Sequence, residues 1–317
     1  MIFNPTLDPW RTLAVLMLEA GIGYPDRLHR IIPHPVTWAG RALAHLEQRW
    51  NRQELPATSR RALGVTAIIL VAGTAALIGF LIDHWATRNI WLALVTILIA
   101  TTGLAQRSLY AHVAAVGAAL RAGDLPAARI AVSHIVGRDV DTLDAQGLTA
   151  AALESLAESF CDGVAAPAFW LLIGGLGGLF AYKAINTADS LIGHREPRWR
   201  AFGWASARTD DFFNLIPARL AGCLLALAGR GGWRIMVRDA KKHDSPNAGW
   251  PEAAMTGALK IRLGGAVTYD GTPHQRPWFG DGEKPTTADL ARGLRIYLGG
   301  RLLLWIALAA GGLAWQH

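Results

Sequence analysis

The feature that most constrains this chain is an apolar stretch without a single charge, residues 62–82, which directly follows Arg60 and Arg61. About 20 residues of α-helix cross the roughly 30 Å of hydrocarbon in a bilayer. Inside that layer the backbone polar groups must be satisfied within the segment, which a helix achieves. The stretch therefore predicts a transmembrane helix.

Further apolar stretches lie at residues 90–105, 163–182, 215–229 and 302–315. Composition agrees, since 52% of residues are hydrophobic and 17% are charged, against roughly 25% charged in soluble domains. We predict an all-α fold, a polytopic helical membrane protein with three to five spans and helical cytoplasmic segments that carry the site. A single domain over 1–317 would contain a transmembrane hairpin at 62–105. The last two stretches are short enough to be tilted, re-entrant or interfacial, and 264–285 is typical of an irregular loop.

The net charge of +7 does not indicate nucleic-acid binding, because the basic residues do not form one stripe with aromatic residues between them. They lie between apolar stretches, and the arginine-rich segment before residue 62 predicts a cytoplasmic N-terminal region. We therefore expect an inner (cell) membrane protein that has the lipid bilayer, and no nucleic acid, as a partner. No cleavable signal peptide is expected, since Glu19 interrupts the apolar stretch at residues 13–24, which also lacks a basic start and a small-residue cleavage site. Cys161 and Cys223 indicate neither a disulfide framework nor a metal-ligand spacing.

The first polar segment, residues 137–162, contains an acidic stripe. Glu154, Glu158 and Asp162 follow one another at four-residue spacing. Nearly opposite lie apolar residues at the spacing of a buried helix face, Leu153, Leu156 and Phe160. Like charges at this spacing destabilise a helix by about 0.2–0.5 kcal/mol per pair. The stripe predicts a compensating partner, either Mg²⁺, a basic side chain or both, and a solvated acidic face is the alternative.

The second polar segment, residues 182–219, is expected to present two polar helix faces. One face combines a cation, an amide and hydroxyls, with a carboxylate at its flank: Lys183, Asn186, Thr187, Ser190 and Asp189. The other combines carboxylates and an amide next to a cation: Asp210, Asp211, Asn214 and Arg208. Such groups beside membrane segments are costly unless they are paired or functional. Closely spaced oxygen ligands suit a divalent cation, although salt bridges explain most Asp-Asp pairs.

The third polar segment, residues 238–252, combines cations with a predicted helix start at Pro251 and Glu252. Its polar candidates are Lys241, Lys242, His243, Ser245 and Asn247. Backbone N–H groups and the dipole at a helix start favour a phosphate. The alternative is a basic cluster that contacts lipid headgroups. Weaker signals are His34, in a basic segment, and Asp281, in a glycine-rich turn that would suit a metal.

Several motifs in this order resemble the adenosylcobinamide-phosphate synthase family, the CobD/CbiB proteins of cobalamin biosynthesis. They are HPVTWAGR (34–41), GRDVDTLDAQGLTAAALESLAES (137–159), DGVAAPAFW (162–170), YKAINTADSLIGH (182–194), FGWASARTDDFFNLIPARL (202–220) and DAKKHDSPNAGWPEAAMTGAL (239–259). LGGAVTYDG (263–271) and FGDG (279–282) follow, and the likeness extends to about residue 300. Departures are Ser159, where the family usually has Asn, Tyr24, where it has an acidic residue, and Glu19, where it has Asp.

The resemblance implies an ATP-dependent, Mg²⁺-requiring ligase that forms an amide bond in the membrane. The acid would be adenosylcobyric acid, the amine (R)-1-aminopropan-2-ol O-phosphate and the product adenosylcobinamide phosphate. The partners implied are this corrinoid, the amino-alcohol phosphate and other enzymes of the cobalamin pathway. No P-loop sequence is found, so ATP would be bound differently. The main catalytic motifs would lie within 137–300.

Activation of a carboxylate by ATP, followed by amine attack, needs oxygen ligands for Mg²⁺, cations for phosphates and a base. We assign metal binding to the four aspartates Asp162, Asp210, Asp211 and Asp281. We assign substrate binding to His34, Asn186, Asp189, Arg208, Lys241, Lys242, Ser245 and Asn247. We assign catalysis to Glu154, Glu158, Lys183, Asp211 and His243. His243 or Glu158 is expected to accept the proton.

One topological conflict follows from these assignments. If every apolar stretch crossed the membrane, 106–162 and 183–214 would lie on opposite sides, although both carry family motifs and ATP is available only inside. We therefore predict that 163–182 re-enters or packs as a buried helical hairpin. Two other classes of protein compete with the enzyme, a non-catalytic sensor on the same scaffold and a corrinoid transporter. The many paired polar motifs disfavour a sensor, and the absence of an inverted repeat disfavours a transporter.

Overall fold

The computed structural model describes residues 5–24, 34–269 and 271–314. Its first helices are α1 (Pro9–Ile22), α2 (Pro35–Trp50), α3 (Ala57–Ala86), α4 (Ile90–Thr101), α5 (Gln106–Arg121), α6 (Leu125–Ser133) and α7 (Ala145–Phe160). A π-helical turn (Cys161–Ala165) leads into α8 (Ala166–Ile192), α9 (Trp204–Phe213), α10 (Leu215–Ala228) and α11 (Trp233–Asp239). A 3₁₀ turn (Ala240–Lys242), α12 (Gly249–Leu259) and α13 (Thr287–Ala314) complete the helical part. Side chains that cap helix N-termini include Asp8, His34, Asn89, Asp124 and Asp144.

Four helical stretches in the described residues are long and apolar enough to cross a membrane. They are Ala57–Ala86, Ile90–Arg121, Ala145–Ile192 and Thr287–Ala314, and the bent pair α9 and α10 would be a fifth. The prediction of an all-α, polytopic membrane protein with three to five spans is confirmed.

Two predicted stretches have different bounds in the structure. The stretch at 90–105 ends as a helix at Thr101 and resumes as α5 after a short break. The stretch at 302–315 is the second half of a helix that begins at Thr287, and Trp315 lies outside the described residues. Arginines in the first half of α13 interrupted the apolar pattern, but one of them, Arg292, is held by Asp289 at 2.7 Å.

The described residues group into two compact units. The first unit takes the described residues within 1–105, 166–214 and 308–317, and the second takes those within 106–165 and 215–307. A core cluster in the first unit joins α2, α3, α8 and the 202–205 segment through Leu43, Ala67, Ile68, Ala188, Ile192, Phe202 and Ala205. The prediction of one domain over 1–317 stays a prediction.

Helix α8 is broken at Gly175, whose φ of 59° and ψ of −150° lie outside the helical region. The amide of Leu176, which would bond to Leu172 in a regular helix, instead donates to the Asp83 carboxylate at 2.6 Å. The carbonyl of Leu172 accepts from the amide of Leu7 at 2.6 Å. Both backbone groups released by the break are therefore satisfied inside the first unit, as an apolar environment requires.

The charge of Asp83 is balanced by Arg11 of α1. One guanidinium nitrogen lies 2.5 Å from the carboxylate, and the two side chains are 2% and 4% exposed. Another bond, of 2.7 Å, ties Arg11 to the carbonyl of Pro5. The ion pair and the helix break thus form one arrangement that joins α1, α3 and α8.

The segment predicted as an irregular loop forms a hairpin in the second unit, residues 261–283. Two short antiparallel pairs are nested in it, β1 (Leu263–Gly264) with β4 (Trp278–Phe279) and β2 (Val267–Tyr269) with β3 (Thr272–His274). Positive φ angles at Gly264 and Gly265 let the chain turn between β1 and β2. Such brief pairs are too short for alternating apolar residues to reveal them in the sequence.

Candidate functional site

Glu154, on α7, is a buried carboxylate held by two arginines. Its side chain is 5% exposed. It accepts hydrogen bonds from Arg138, from Arg276 at 3.0 Å and from the backbone amide of Gly264 at 2.9 Å. The predicted compensation of the acidic stripe therefore comes, at Glu154, from basic side chains. Since α7 is buried at Glu154, the alternative of a solvated acidic face does not hold there, while Glu158 is exposed.

Glu252, in the first turn of α12, is a second buried carboxyl group in contact with Arg276. The guanidinium lies 3.3 and 3.4 Å from the two carboxyl oxygens, and the glutamate side chain is 4% exposed. Burial, with the negative charge of Glu154 adding to it, raises the pKa of Glu252 to about 8. This carboxyl group is therefore largely protonated at pH 7, and Arg276 bridges side chains from two helices.

His243 faces the same carboxyl group. Its Nε2 lies 3.6 Å from an oxygen of Glu252, beyond hydrogen-bond distance, while Nδ1 accepts from the amide of Ser245 at 2.9 Å. Burial, and then the positive charge of Arg276, lowers the pKa of His243. The neutral ring consequently carries its proton on Nε2, directed at Glu252. We call Arg138, Glu154, His243, Glu252 and Arg276 the carboxylate cluster.

A neighbouring ion network in the second unit is centred on Asp239, whose side chain is fully buried. It accepts two bonds from Arg238, at 2.6 and 2.7 Å, and one from the amide of Gly280 at 2.8 Å, and Lys242 lies 2.7 Å away. The bonds from Arg238 hold the pKa of Asp239 well below its usual range. Arg238 also binds Asp281 at 2.6 Å and lowers its pKa. Lys242 and Asp281 are thus engaged with protein charges.

The predicted phosphate site before α12 is filled by the chain itself. The hydroxyl of Ser245 accepts from the amides of Asn247 and Ala248 at 3.2 and 3.3 Å. The side-chain oxygen of Asn247 accepts from Arg219 of α10 at 2.7 Å. Lys241 is exposed to solvent. Of the predicted cations here, Lys241 best suits a diffusible anion.

A polar cluster in the first unit joins the two predicted faces of 182–219. Lys183 donates to Asn186 at 3.1 Å, and the amide of Asn186 lies 3.5 Å from Asp210. Asp210 also accepts from Asn214 at 3.0 Å, whose oxygen accepts from the hydroxyl of Tyr182 at 3.1 Å. We call these five residues the amide cluster. The aspartate is held by neutral amides, which leaves its negative charge available to a cation.

The remaining predicted residues lie in several places. Arg208 contacts Asp211 at 3.4 Å near the surface, and Asp189 is half-buried near the end of α8. His34 accepts from the amide of Val36 at 3.3 Å and so caps α2, which is a structural role.

The aspartates predicted to bind Mg²⁺ belong to both units, Asp210 and Asp211 to the first and Asp162 and Asp281 to the second. Over the described ranges, no group of three His, Cys, Asp or Glu side chains is arranged to hold a metal ion. Mg²⁺ is commonly held by one or two carboxylates together with phosphates and water. Asp210 and Asp211 fit that requirement as neighbouring carboxylates. Asp281, neutralised by Arg238, fits it poorly, and Asp162 lies half-buried in the π-helical turn of the second unit.

Three members of the carboxylate cluster were missed as site residues, Arg138, Glu252 and Arg276. Arg138 and Glu252 lie within the quoted motifs, where the sequence predicts only a helix start at Glu252. Arg276 lies in the gap between two motifs. A usable signal was charge balance, since a buried carboxylate needs a cation.

Several apolar spans, together with buried carboxyl groups and a neutral histidine, define a polytopic membrane protein with an enzyme-like polar site. A model of the CobD/Cbib protein family matches residues 12–297, so the chain belongs to the CobD/CbiB family of cobalamin biosynthesis. The family's biosynthetic role makes the chain a biosynthetic enzyme.

Relatives named "Cobalamin biosynthesis protein CobD" cover most of the chain. That of Rhodobacter capsulatus is 49% identical over 88% of this chain and 90% of its own length. The relative from a Sinorhizobium species is 44% identical over 90% of this chain and 92% of its own length. That of Geobacter metallireducens is 42% identical, over 94% of each. No solved structure matches the chain.

Proposed function

We propose that this chain joins adenosylcobyric acid to (R)-1-aminopropan-2-ol O-phosphate at the expense of ATP, giving adenosylcobinamide phosphate. The substrate carboxylate would attack the γ-phosphorus of ATP, forming an acyl phosphate and releasing ADP. The amine nitrogen would then attack the acyl carbon and lose a proton, and inorganic phosphate would leave. Membership of the family and the polar clusters described above support this proposal.

The observation that carries the proposal is the pairing of Glu252 with His243. Amide formation needs a base for the ammonium group of the amine. A carboxyl group whose pKa is about 8 takes up and releases protons near neutral pH. We assign proton acceptance to Glu252. His243 directs its Nε2–H at that carboxyl group and is assigned the task of stabilising the ionised, proton-accepting form. This assignment replaces Glu158, which is exposed on α7.

The remaining roles follow the charge of each side chain. Lys183 and Lys241 are assigned to phosphate groups. Asp210 and Asp211 would hold Mg²⁺, which when bound neutralises phosphate charge. Arg276 holds Glu154 and Glu252 close together. Because its guanidinium group is engaged with these side chains, we do not assign it to a phosphate.

The test is product formation by purified, detergent-solubilised protein supplied with both substrates, ATP and Mg²⁺. Mass spectrometry should find the amide only when ATP is present. Glu252→Gln should lower kcat by about 10²–10⁴-fold, the usual contribution of a general base. The matched control is Glu283→Gln, an exposed glutamate near the end of the hairpin, which should retain activity.

Each outcome separates the competing classes of protein. No amide from folded wild-type protein that still binds the corrinoid would favour a sensor or a binding protein. Amide formation with an unchanged rate in Glu252→Gln would retain the ligase and remove Glu252 from its mechanism.

A further inference from the structure

The outer face of α2 carries a narrow basic stripe. Trp38, Arg41, His45 and Arg49 recur at intervals of three or four residues, which places them within about 80° of one another around the helix. Arg52 continues the stripe just beyond the end of α2. All five side chains are exposed, the indole of Trp38 by 54%. We call these five residues the basic face.

The three arginines of the basic face are not used by the protein itself. Judged over the residues that the structure describes, none of them makes a side-chain hydrogen bond or ion pair. Other arginines of the first unit do: Arg11 binds Asp83 and Arg198 binds Glu47. The sequence from Trp38 to Arg52 contains a single acid, Glu47, and it points inward, 7% exposed and bound to Arg198 at 3.0 Å. The basic face therefore has a strong, uncompensated positive charge.

The opposite side of α2 fixes this face beside a membrane span. Leu43 is 1% exposed and belongs to the same core cluster as Ala67 and Ile68 of α3. Helix α3 has a mean hydropathy of 2.5 over its most apolar window, the highest among the candidate spans. Because α2 packs against the first half of α3, we infer that its outer face lies near the end of the span that begins at Ala57.

The residue types match one kind of partner. Arginine guanidinium groups form paired hydrogen bonds with phosphate oxygens. Exposed tryptophan is enriched where hydrocarbon meets lipid headgroups. We propose that the basic face binds the phosphate groups of anionic phospholipids in the leaflet next to the start of α3. An acidic protein partner would need no exposed tryptophan beside a span, so lipid is the occupant we infer.

Native mass spectrometry of the full-length protein, released from a neutral detergent, tests this proposal. The protein is titrated with phosphatidylglycerol or with phosphatidylcholine of the same acyl chains. The wild type should bind phosphatidylglycerol more tightly. Each arginine near an anionic surface contributes roughly fivefold, so Arg41→Gln, Arg49→Gln and Arg52→Gln together should reduce the preference by about a hundredfold.

Two matched variants make the result specific. Replacing the same three arginines by lysine keeps the charge and should retain most of the preference. A second variant removes the same charge from three exposed positions of the second unit, Arg121→Gln, Lys260→Gln and Lys284→Gln. This variant should keep the full preference for phosphatidylglycerol. The proposal is overturned if the arginine-to-glutamine variant keeps its preference or if the second-unit variant loses as much. A wild type that does not distinguish the two lipids overturns it as well, and would point to an acidic protein.

Discussion

At the scale of single residues, the second unit depends on how two buried carboxyl groups share one arginine. Arg276 contacts Glu154 at 3.0 Å and Glu252 at 3.3 Å, while its own side chain is 19% exposed. With Glu252 protonated at neutral pH, the remaining charge of Glu154 is balanced by two guanidinium groups. Charges buried in this way are strongly destabilising when one partner is removed.

Arg276→Met should therefore destabilise the protein by about 3–5 kcal/mol, the usual cost of breaking a buried ion pair from one side. Thermal unfolding in detergent measures the change. Adding Glu252→Gln to Arg276→Met should recover part of the loss, because an amide at position 252 cannot ionise when the guanidinium group is gone. Arg234→Met, at an exposed position, is the control and should shift unfolding little. Strictly additive effects would show that Arg276 and Glu252 are not coupled.

Stability should also depend on the protonation of Glu252. Its folded pKa of about 8 lies above the ordinary value of 4.5, so its contribution is fully present below pH 4.5 and is lost as pH rises through 8. Between pH 7 and 8, wild-type stability should fall by up to about 1.4 kcal/mol per pH unit, and Glu252→Gln should flatten that slope. Denaturation at a series of pH values measures it. Equal slopes in the two proteins would contradict a raised pKa.

Residue types in the sequence predicted part of this cluster. Glu154 and His243 were identified because carboxylates at helical spacing and a histidine beside lysines are local patterns. Arg276 was not, since it lies 122 residues from Glu154 along the chain. Two residues that meet only in the folded protein need not follow any regular spacing in the sequence, so no pattern predicts their contact. The roles of the other predicted residues were assigned from the resemblance to the family, not from the spacing of residues along the chain.

At the scale of secondary-structure elements, the break in α8 is the clearest departure from a regular span. A φ of 59° with ψ of −150° is a conformation that essentially only glycine adopts. Gly175→Ala should therefore cost about 1–3 kcal/mol from backbone strain, and its added methyl group would lie 2.9 Å from the carbonyl of Pro5. Thermal unfolding of the purified protein tests this.

Gly174→Ala provides the matched control, because a methyl group there has no neighbour within 4 Å. It should leave stability unchanged or raise it slightly, as alanine favours helix over glycine. If both substitutions were equally well tolerated, α8 would be a regular helix in solution.

The apolar runs in the sequence predicted the spans. Polar residues within the helices made the predicted ends less accurate. Residues 62–82 contain no charge, and the helix around them was found with a few extra residues at each end. The glycine-rich run in 163–182 showed that the segment was irregular, but the partner of the break, Asp83, lies in another span. The start of α13 at Thr287 was hidden because charged residues interrupt the apolar pattern there, although in the folded helix Asp289 and Arg292 neutralise each other.

At the scale of the whole molecule, the path of the chain through the membrane is the main prediction that labelling can test. We expect 163–182 not to cross fully, so that residues 195–205 face the cytoplasm. A single cysteine introduced at Arg200, an exposed position, should react with a membrane-impermeant maleimide only after the cells are permeabilised. Labelling in intact cells would show that 195–205 face the periplasm and would remove the re-entry prediction.

The break at Gly175 also has a consequence for how the chain is made. Leu176 follows Asp83 by 93 residues, so Asp83 is synthesised long before the amide that it finally binds. Arg11 is already present to neutralise it, which lets the early helices settle in the bilayer with a tolerable charge. The arrival of α8 then supplies the missing amide and takes up the amide of Leu7 with its own carbonyl. The ribosome must therefore finish roughly half of the protein before the residues around its first helix reach their final hydrogen bonds.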